Sequence, residues 1–305
     1  MMRRFLSHIL LLSLLMPACS QQRADNSFTA SVTDPVYPDK QGPVIMIDQG
    51  HHNFHTLNGR YKPFAELLVA DGYRLEPHKG SFSEKSLEEA RILVVANALH
   101  ESNTRNWYKP VLSAFSEEEI SVVNNWVKEG GSLFLIADHM PMPGAAGELA
   151  ASFGVEFING FAMDTSNRGP DTFRRYDSTL CMHVITSGRN NAEEVDSVIS
   201  FTGQAFQPPE TADPLMVFPD GYLLLMPDTA WSFNASTPVL DISGWSQGCV
   251  MKYGEGRLAV FGEAAMFTAQ LAGNSQVRVG INSDMAPQNH QFLLNIIHWL
   301  DGILN

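Results

Sequence analysis

Cysteine, positive charge and long apolar runs are all scarce in this sequence. Three cysteines occur among 305 residues, which is too few for a disulfide framework. Cys181 and Cys249 fit a single disulfide as well as they fit two buried thiols. Lysine and arginine number 20 against 33 aspartates and glutamates, which gives a net charge of −13. Such an acidic surface predicts no nucleic-acid partner, and it suits neutral ligands, cationic ligands or metal ions.

The apolar run near the N-terminus, over residues 9–15, is too short to cross a bilayer. Two arginines at positions 3 and 4 precede this run and Cys19 follows it, which is the order found in a secretion signal. The segment resembles a bacterial lipobox, in which the cysteine is lipidated after cleavage. Met16 and Pro17 depart from the usual lipobox residues, so cleavage near Ala18 without lipidation stays an alternative.

These features divide the chain into three parts. We expect a lipoprotein-type signal peptide over residues 1–19, a flexible polar tether over residues 20–42 and one folded domain over residues 43–305. By resemblance to known lipoproteins, a serine after Cys19 implies the outer membrane. The expected location is the cell envelope. There the chain is either an outer-membrane lipoprotein, anchored to the membrane and facing the periplasm, or a secreted periplasmic protein without a lipid.

Short apolar runs and amphipathic stretches alternate through the folded domain. The apolar runs predict strands over residues 44–48, 73–76, 92–96, 133–137 and 155–158. Helical spacing predicts helices over residues 60–70, 83–90, 116–128, 144–153 and 287–300. A capping box of Ser116 and Glu119 opens the third of these helices. Glycine-containing turns predict hairpins over residues 215–226 and 248–261. This alternation is typical of an α/β protein with a parallel sheet.

The order of these elements, with a late hairpin that returns to the sheet, resembles the class I glutamine-amidotransferase-like superfamily. That superfamily includes trehalose-utilisation-type proteins and bacterial families of unknown function. The resemblance implies a flavodoxin-like three-layer α/β sandwich with a mainly parallel sheet and a late antiparallel hairpin. Residues 133–137 then correspond to the strand before the nucleophile elbow. Phe261, Gly262 and Glu263 fall where the family's catalytic histidine and glutamate reside.

The sequence departs from that family at the nucleophile. Glutamine hydrolysis needs a cysteine thiolate on a Gly-x-Cys-x-Gly turn after the strand. This chain has Ile-Ala-Asp-His-Met-Pro instead, with Asp138 at the elbow, and Phe261 or Gly262 takes the place of the family's histidine. We therefore expect the fold without the glutaminase activity.

Carboxylates and histidines follow three of the predicted strands. Strand ends meet at one edge of an open α/β sheet, and we expect the strands over residues 44–48 and 133–137 to be neighbours, so these side chains should converge on one crevice. The candidate catalytic residues are Asp48, His51, Asp138 and His139, and the family resemblance implies that Glu263 joins them. Asp48, His51 and His139 are the candidate ligands for a divalent zinc, manganese or iron ion that activates water. A metal-assisted hydrolase is the first hypothesis.

Simpler explanations stay open for the same residues. Aspartates at strand ends also cap the turns that follow, and loop histidines are more often hydrogen-bonded than metal-ligating. The second hypothesis is a non-catalytic lipoprotein of the same fold that binds a small molecule, a carbohydrate or a peptidoglycan fragment. Amide and aromatic side chains suit sugar hydroxyls. The candidate ligand-binding residues are Asn53, Trp107, Gln270, Asn282 and Asn289.

Overall fold

The computed structural model describes residues 22–167 and 169–305, so the predicted signal peptide and Cys19 lie outside the described residues. The strands are β1 (Arg23–Ala24), β2 (Val44–Asp48), β3 (Arg74–His78), β4 (Ala90–Ala96), β5 (Ser132–Ile136), β6 (Glu156–Phe157), β7 (Phe161–Asp164), β8 (Asp171–Arg174), β9 (Ser197–Ser200), β10 (Phe206–Gln207), β11 (Asp213–Val217), β12 (Tyr222–Leu225), β13 (Val239–Asp241), β14 (Ser246–Tyr253), β15 (Gly256–Phe261), β16 (Ala269–Ala272) and β17 (Val277–Gly280). The α-helices are α1 (Lys62–Ala70), α2 (Glu84–Leu87), α3 (Glu117–Lys128), α4 (Met142–Ala151), α5 (Val184–Ser187) and α6 (Asn289–Asp301). Within these described ranges no helix is both long and apolar enough to cross a membrane.

A nine-stranded mixed sheet forms the centre of the domain, so the chain is an α/β protein. Its strand order is β3-β2-β4-β5-β15-β14-β10-β6, and β11 also pairs with β14. The first five strands in this order are parallel to one another, whereas the pairs beyond β15 are antiparallel. The carboxyl ends of five neighbouring strands therefore meet at one edge, where a ligand site of an open α/β sheet is expected.

Helices cover both faces of this sheet. On one face Ile45, Val94 and Phe134 pack in a common cluster with residues of α1 and α6. On the other face Leu93 and Leu135 pack with residues of α3 and α4. Alternate side chains of a strand point to opposite faces, so a strand covered on both faces needs apolar residues at every position. This double burial explains why the parallel strands read as continuous apolar runs.

Two local predictions from the sequence are confirmed. The Ser116 hydroxyl accepts the Glu119 N–H at 3.2 Å, and the Glu119 carboxylate accepts the Ser116 N–H at 3.0 Å, so the capping box forms at the start of α3. The hairpin predicted over residues 248–261 is the antiparallel pair of β14 and β15.

The hairpin predicted over residues 215–226 is wrong. β11 pairs with β14, whereas β12 pairs with β7 and β13 in a separate three-stranded sheet. Likewise, the strand predicted over residues 155–158 shortens to β6, which is antiparallel to β10 and lies at the edge of the main sheet. Turn residues identify a change of direction, but they do not specify which strands pair on either side of it.

The segment expected to be a flexible tether packs against the domain instead. β1 pairs with β16, so that Ala24 lies opposite Gln270. The Tyr37 hydroxyl donates to the Asp301 carboxylate at 2.6 Å. These contacts correct the expectation for residues 22–42, because backbone pairing and a partly buried hydrogen bond hold the segment in place despite its polar composition.

Candidate functional site

Two neighbouring strand ends bring Asp138 and Glu263 together. β5 and β15 are parallel partners with Ile136 opposite Phe261, and each acid follows two positions later. The Ala137 N–H donates to the Phe261 carbonyl at 3.0 Å, which continues the pairing past the last strand residue. Neighbouring strands lie about 4.8 Å apart, so the two side chains leave the sheet side by side. We call Asp138 and Glu263 the carboxyl pair.

Burial raises the pKa of both members of the carboxyl pair. Glu263 is only 1% exposed, and burial followed by the charge of Asp138 holds its pKa well above its usual range. Burial also raises the pKa of Asp138, which is partly exposed. Backbone N–H groups oppose these shifts, because those of Ala265 and Met266 donate to Glu263 at 2.7 Å and that of His139 donates to Asp138 at 2.8 Å. The pair therefore holds one proton more tightly than isolated carboxyl groups do.

The carboxyl pair forms part of the wall of a cavity of about 380 Å³. Much of the remaining wall is aromatic or aliphatic, and it includes Phe54, Trp107 and Phe201. No lysine or arginine lines the cavity within the described part of the chain. A concave, largely apolar site with a few converging polar groups is typical of small-molecule binding.

A chain of polar contacts runs from the carboxyl pair to His55. Asn97, directly after β4, accepts the Asp138 backbone N–H through Oδ1 at 2.8 Å. The Nδ2 atom of Asn97 lies 3.1 Å from Nδ1 of His55, which also lines the cavity. Burial holds the pKa of His55 well below its ordinary value, and the nearby Arg60 guanidinium acts in the same direction. His55 is therefore neutral at pH 7.

His139 lies in the same cavity wall and is held by its surroundings. Its Nδ1 donates to the carbonyl oxygen of Met140 at 2.8 Å. The ring stacks on Phe161 with a centroid separation of 4.7 Å, and Trp231 packs on it edge to face at 4.7 Å. Aromatic packing and one backbone hydrogen bond therefore fix the orientation of this histidine.

Asp48 and His51 belong to a separate, closed cluster that also contains Glu119. His51 Nδ1 lies 2.9 Å from Asp48 Oδ2, and His51 Nε2 lies 2.9 Å from Glu119 Oε1. The rings of Phe82 and Phe115 contact the imidazole at centroid distances of 4.6 and 4.7 Å. Burial disfavours the charge on His51, but the two carboxylates outweigh this effect and raise its pKa. We call Asp48, His51 and Glu119 the His51 cluster.

The structure does not bring the His51 cluster to the cavity. β4 lies between β2 and β5, so the expectation that the strands over residues 44–48 and 133–137 are neighbours is wrong. Of the five candidate catalytic residues, the cavity is lined by Asp138, His139 and Glu263, whereas Asp48 and His51 lie outside its wall.

The candidate metal ligands are divided in the same way. Both ring nitrogens of His51 are engaged by carboxylates, and His139 belongs to the cavity wall, which Asp48 and His51 do not line. Across residues 22–167 and 169–305, no three histidine, cysteine, aspartate or glutamate side chains group closely enough to hold a metal ion. Asp48, His51 and His139 therefore do not fit the expected zinc, manganese or iron site.

One of the five candidate ligand-binding residues lines the cavity, namely Trp107. The side-chain amides of Asn53, Asn282 and Asn289 donate to protein oxygen atoms at distances between 2.7 and 3.0 Å. Gln270 is buried in β16. These four amide residues lie outside the cavity wall, and the three asparagines stabilise the surrounding loops.

Comparison with solved structures shows a shared fold. The mmIFT52 N-terminal domain is similar to this chain with a TM-score of 0.59 and 12% identity, over 84% of this chain and 97% of that one. The cytoplasmic protein STM3548 from Salmonella typhimurium has a TM-score of 0.48 and 11% identity, over 85% of this chain and 98% of its own. A ThuA-like protein from Bacteroides uniformis has a TM-score of 0.43 and 11% identity, over 89% of this chain and 94% of its own.

Sequence comparison does not assign the chain to a family. No protein-family model matches the chain, and no curated protein matches it. At 12% identity, the similarity to the mmIFT52 N-terminal domain concerns the fold alone. The neighbours include a ThuA-like protein, and membership of the amidotransferase-like superfamily stays a prediction.

Sequence analysis missed His55 and Asn97 as residues of the cavity wall. A signal for Asn97 was present, because it directly follows an apolar strand just as Asp138 does. No comparable signal marks His55, because His51 and His52 precede it in the same polar loop and nothing local separates the three histidines.

Proposed function

We propose that this chain is a hydrolase of neutral, sugar-like substrates, with Glu263 as general acid and Asp138 as nucleophile. The observation that carries this proposal is a pair of carboxyl groups, side by side in a cavity wall, whose pKa values are both raised. Ionising both groups places two negative charges together in a poorly solvated site, so the pair keeps one proton near neutral pH. The more deeply buried Glu263 is the better proton donor.

One water molecule completes the proposed reaction. Glu263 donates its proton to the bridging oxygen as the C–O bond to the leaving group breaks, and the Asp138 carboxylate forms a bond to the same carbon. Water then attacks this carbon, gives one proton to Glu263 and releases the Asp138 carboxylate. The products gain the elements of one water, and the pair returns to its starting state. Two carboxyl groups held in different protonation states are the minimum that such chemistry needs.

The cavity wall supports an uncharged, hydroxyl-bearing substrate. Phe54, Trp107 and Phe201 offer aromatic surface, on which sugar rings pack through their apolar faces, and Asn97 and Asn274 add amide groups. The same wall favours the second candidate, a lipoprotein that binds a carbohydrate or peptidoglycan fragment without cleaving it.

We also propose that the domain is an amidotransferase-like, flavodoxin-like α/β sandwich that lacks the family's thiol nucleophile. The parallel strands β3-β2-β4-β5-β15 and the antiparallel partner β14 support this assignment. Cys181 and Cys249 are free thiols, and neither lines the cavity. Asp138 occupies the end of the strand at which the family places its cysteine.

We propose that the chain is a lipoprotein located in the cell envelope. The arginine pair at positions 3 and 4, the apolar residues 9–15 and Cys19 support it, and the membrane is then a partner through the lipid. Gln22, three residues after Cys19, lines the cavity next to β1.

Product analysis on a panel of neutral sugars tests the hydrolase. The panel contains di- to hexasaccharides of glucose, mannose, galactose and xylose, and mass spectrometry detects cleavage. We expect the wild-type protein to cleave at least one of them, and Asp138→Asn and Glu263→Gln each to lower the rate about 10²- to 10⁴-fold. Asp220→Asn and Glu255→Gln, at exposed turns, are the matched controls with unchanged rates.

Two results contradict the hydrolase. Full activity in both carboxyl-pair variants shows that the pair is not the acid and nucleophile. A panel sugar that binds to the wild-type protein without being cleaved, and that binds equally to Asp138→Asn, replaces the hydrolase with the carbohydrate-binding function.

A further inference from the structure

The orientation of the Asn97 amide is determined by the backbone of Asp138. The Asp138 N–H is solely a donor, so the Asn97 atom 2.8 Å from it is the oxygen. The amide nitrogen Nδ2 then faces Nδ1 of His55 at 3.1 Å. Nδ2 carries only hydrogens, so Nδ1 of His55 has to accept.

This contact selects one tautomer of His55. An imidazole whose Nδ1 accepts a hydrogen bond carries its proton on Nε2, and an imidazolium would point an N–H at the Asn97 amino group. The depressed pKa of His55 agrees with the neutral form. The Nε2 atom is buried and has no hydrogen-bond partner, although His55 lines the cavity. His55 therefore carries an unused N–H donor, and its side chain shares the cavity wall with the carboxyl pair.

Asn97 is held in an uncommon backbone conformation to make these contacts. Its φ is 51°, in the left-handed region that most non-glycine residues avoid. Its own N–H donates to the Ile136 carbonyl at 2.9 Å, and its carbonyl accepts the Phe54 N–H at 2.9 Å. Asparagine adopts this region more readily than other non-glycine residues, so hydrogen bonds on both sides fix the position of Asn97 without strain.

We infer that His55 is a substrate-binding donor, whose Nε2–H binds an acceptor oxygen of an uncharged substrate and whose tautomer is set by Asn97. The inference rests on the proposed function for the position of the substrate. This donor role restricts the class of ligand. An N–H donor binds a hydroxyl, ring or glycosidic oxygen, and it repels a metal ion or an ammonium group. An unpaired buried donor also weakens the binding of analogues that lack this oxygen.

Two substitutions at the same position separate this role from a purely structural one. His55→Gln keeps a donor near the position of Nε2 and loses the partner of Asn97. His55→Asn keeps a partner for Asn97 near the position of Nδ1 and loses the donor. We expect His55→Asn to weaken binding of the best panel sugar about tenfold, and His55→Gln to bind within a few-fold of the wild type. If His55 served only to hold Asn97, the order of the two variants would be reversed.

The tautomer is measured on the protein without any sugar. Nitrogen NMR of histidine-labelled protein is expected to show His55 with its proton on Nε2 across pH 6–8, and Asn97→Asp is expected to move a proton to Nδ1. A proton on Nδ1 in the wild type overturns the inference, as does the reversed order of the two variants. Failure of every panel sugar to bind overturns the proposed function and the substrate-binding role together. The tautomer result then stands as a separate finding.

Discussion

The His51 cluster and the carboxyl pair each contain an aspartate and a glutamate, and each has an aspartate at the same edge of the sheet, but their electrostatics are opposite. In the His51 cluster one imidazole lies between two carboxylates, so that the pKa of His51 is raised and those of Asp48 and Glu119 are lowered. In the cavity wall two carboxyl groups face each other, and their pKa values are raised. The His51 cluster therefore favours the charged forms of its three side chains, whereas the carboxyl pair disfavours ionisation of both carboxyl groups.

The His51 cluster and the cavity wall also differ in how completely their polar atoms are hydrogen-bonded. Both ring nitrogens of His51 have carboxylate partners within 2.9 Å. His55, in the cavity wall, keeps one nitrogen without a partner. A cluster whose polar atoms are all paired stabilises the fold, whereas raised pKa values and an unpaired donor in a cavity wall mark a candidate site for chemistry. The comparison teaches that residue type and strand-end position do not by themselves distinguish a structural cluster from a functional one.

Removing His51 is the largest disturbance that we expect. His51→Leu leaves Asp48 and Glu119 buried without their shared cation, so the free energy of unfolding should fall by about 3–5 kcal/mol. The pKa of His51 is raised, so its contribution is complete below its unfolded pKa of about 6.5. The pKa values of Asp48 and Glu119 are lowered, so the contribution of these two carboxylates to stability is complete above the ordinary carboxyl pKa of about 4–4.5. Denaturant unfolding should therefore be measured near pH 5.5.

His52→Asn is the matched control for that measurement. His52 is the exposed neighbour of His51, and its positive φ of 47° is one that asparagine tolerates. The control should change the free energy of unfolding by less than about 0.5 kcal/mol. A similarly small effect of His51→Leu would show that the His51 cluster is not a stabilising unit, and the contrast with the carboxyl pair would be lost.

The pH dependence of stability should distinguish the carboxyl pair from the His51 cluster, with a smaller change in free energy than His51→Leu causes. A carboxyl group whose pKa is raised by folding stabilises the protein below its unfolded pKa, and this contribution is lost as pH rises through its folded pKa. As pH rises above the ordinary carboxyl pKa of about 4–4.5, wild-type stability should therefore decline more steeply than that of Asp138→Asn. The difference in slope should be at most about 1.4 kcal/mol per pH unit for the one shared proton. Parallel curves for the two proteins would show that Asp138 does not contribute to retaining the proton.

The local parts of the fold could be predicted from the sequence, but the strand order could not. Continuous apolar runs identified β2, β4 and β5, and Ser116 with Glu119 identified the start of α3. Which strands lie side by side depends on crossover connections and on packing over the whole sheet, and the prediction that β2 and β5 are neighbours was wrong. Pairing of β11 with β14 likewise depends on residues far away in the sequence.

The candidate site was predicted in part for the same reason. Asp138, His139 and Glu263 were found because strand ends of a parallel sheet share an edge. The partner of His51 is Glu119, 68 residues later on a helix, and no local pattern connects them. The state of His55 depends on the orientation of the Asn97 amide, which only the folded backbone of Asp138 determines.

Added metal should change the stability of the protein least. This experiment tests whether the His51 cluster binds a metal ion as well as forming an ion pair. Zinc has to displace a carboxylate hydrogen bond at Nδ1 or Nε2 before it can bind His51, and His139 is not available to the same ion. Zinc or manganese should therefore leave the thermal unfolding midpoint of the wild-type protein unchanged, and elemental analysis should find no stoichiometric metal. A midpoint that rises with zinc concentration in the wild type, and does not rise in His51→Leu, would reveal a metal site that hydrogen bonding conceals. The His51 cluster would then be a second functional site, and the division between the two regions would no longer hold.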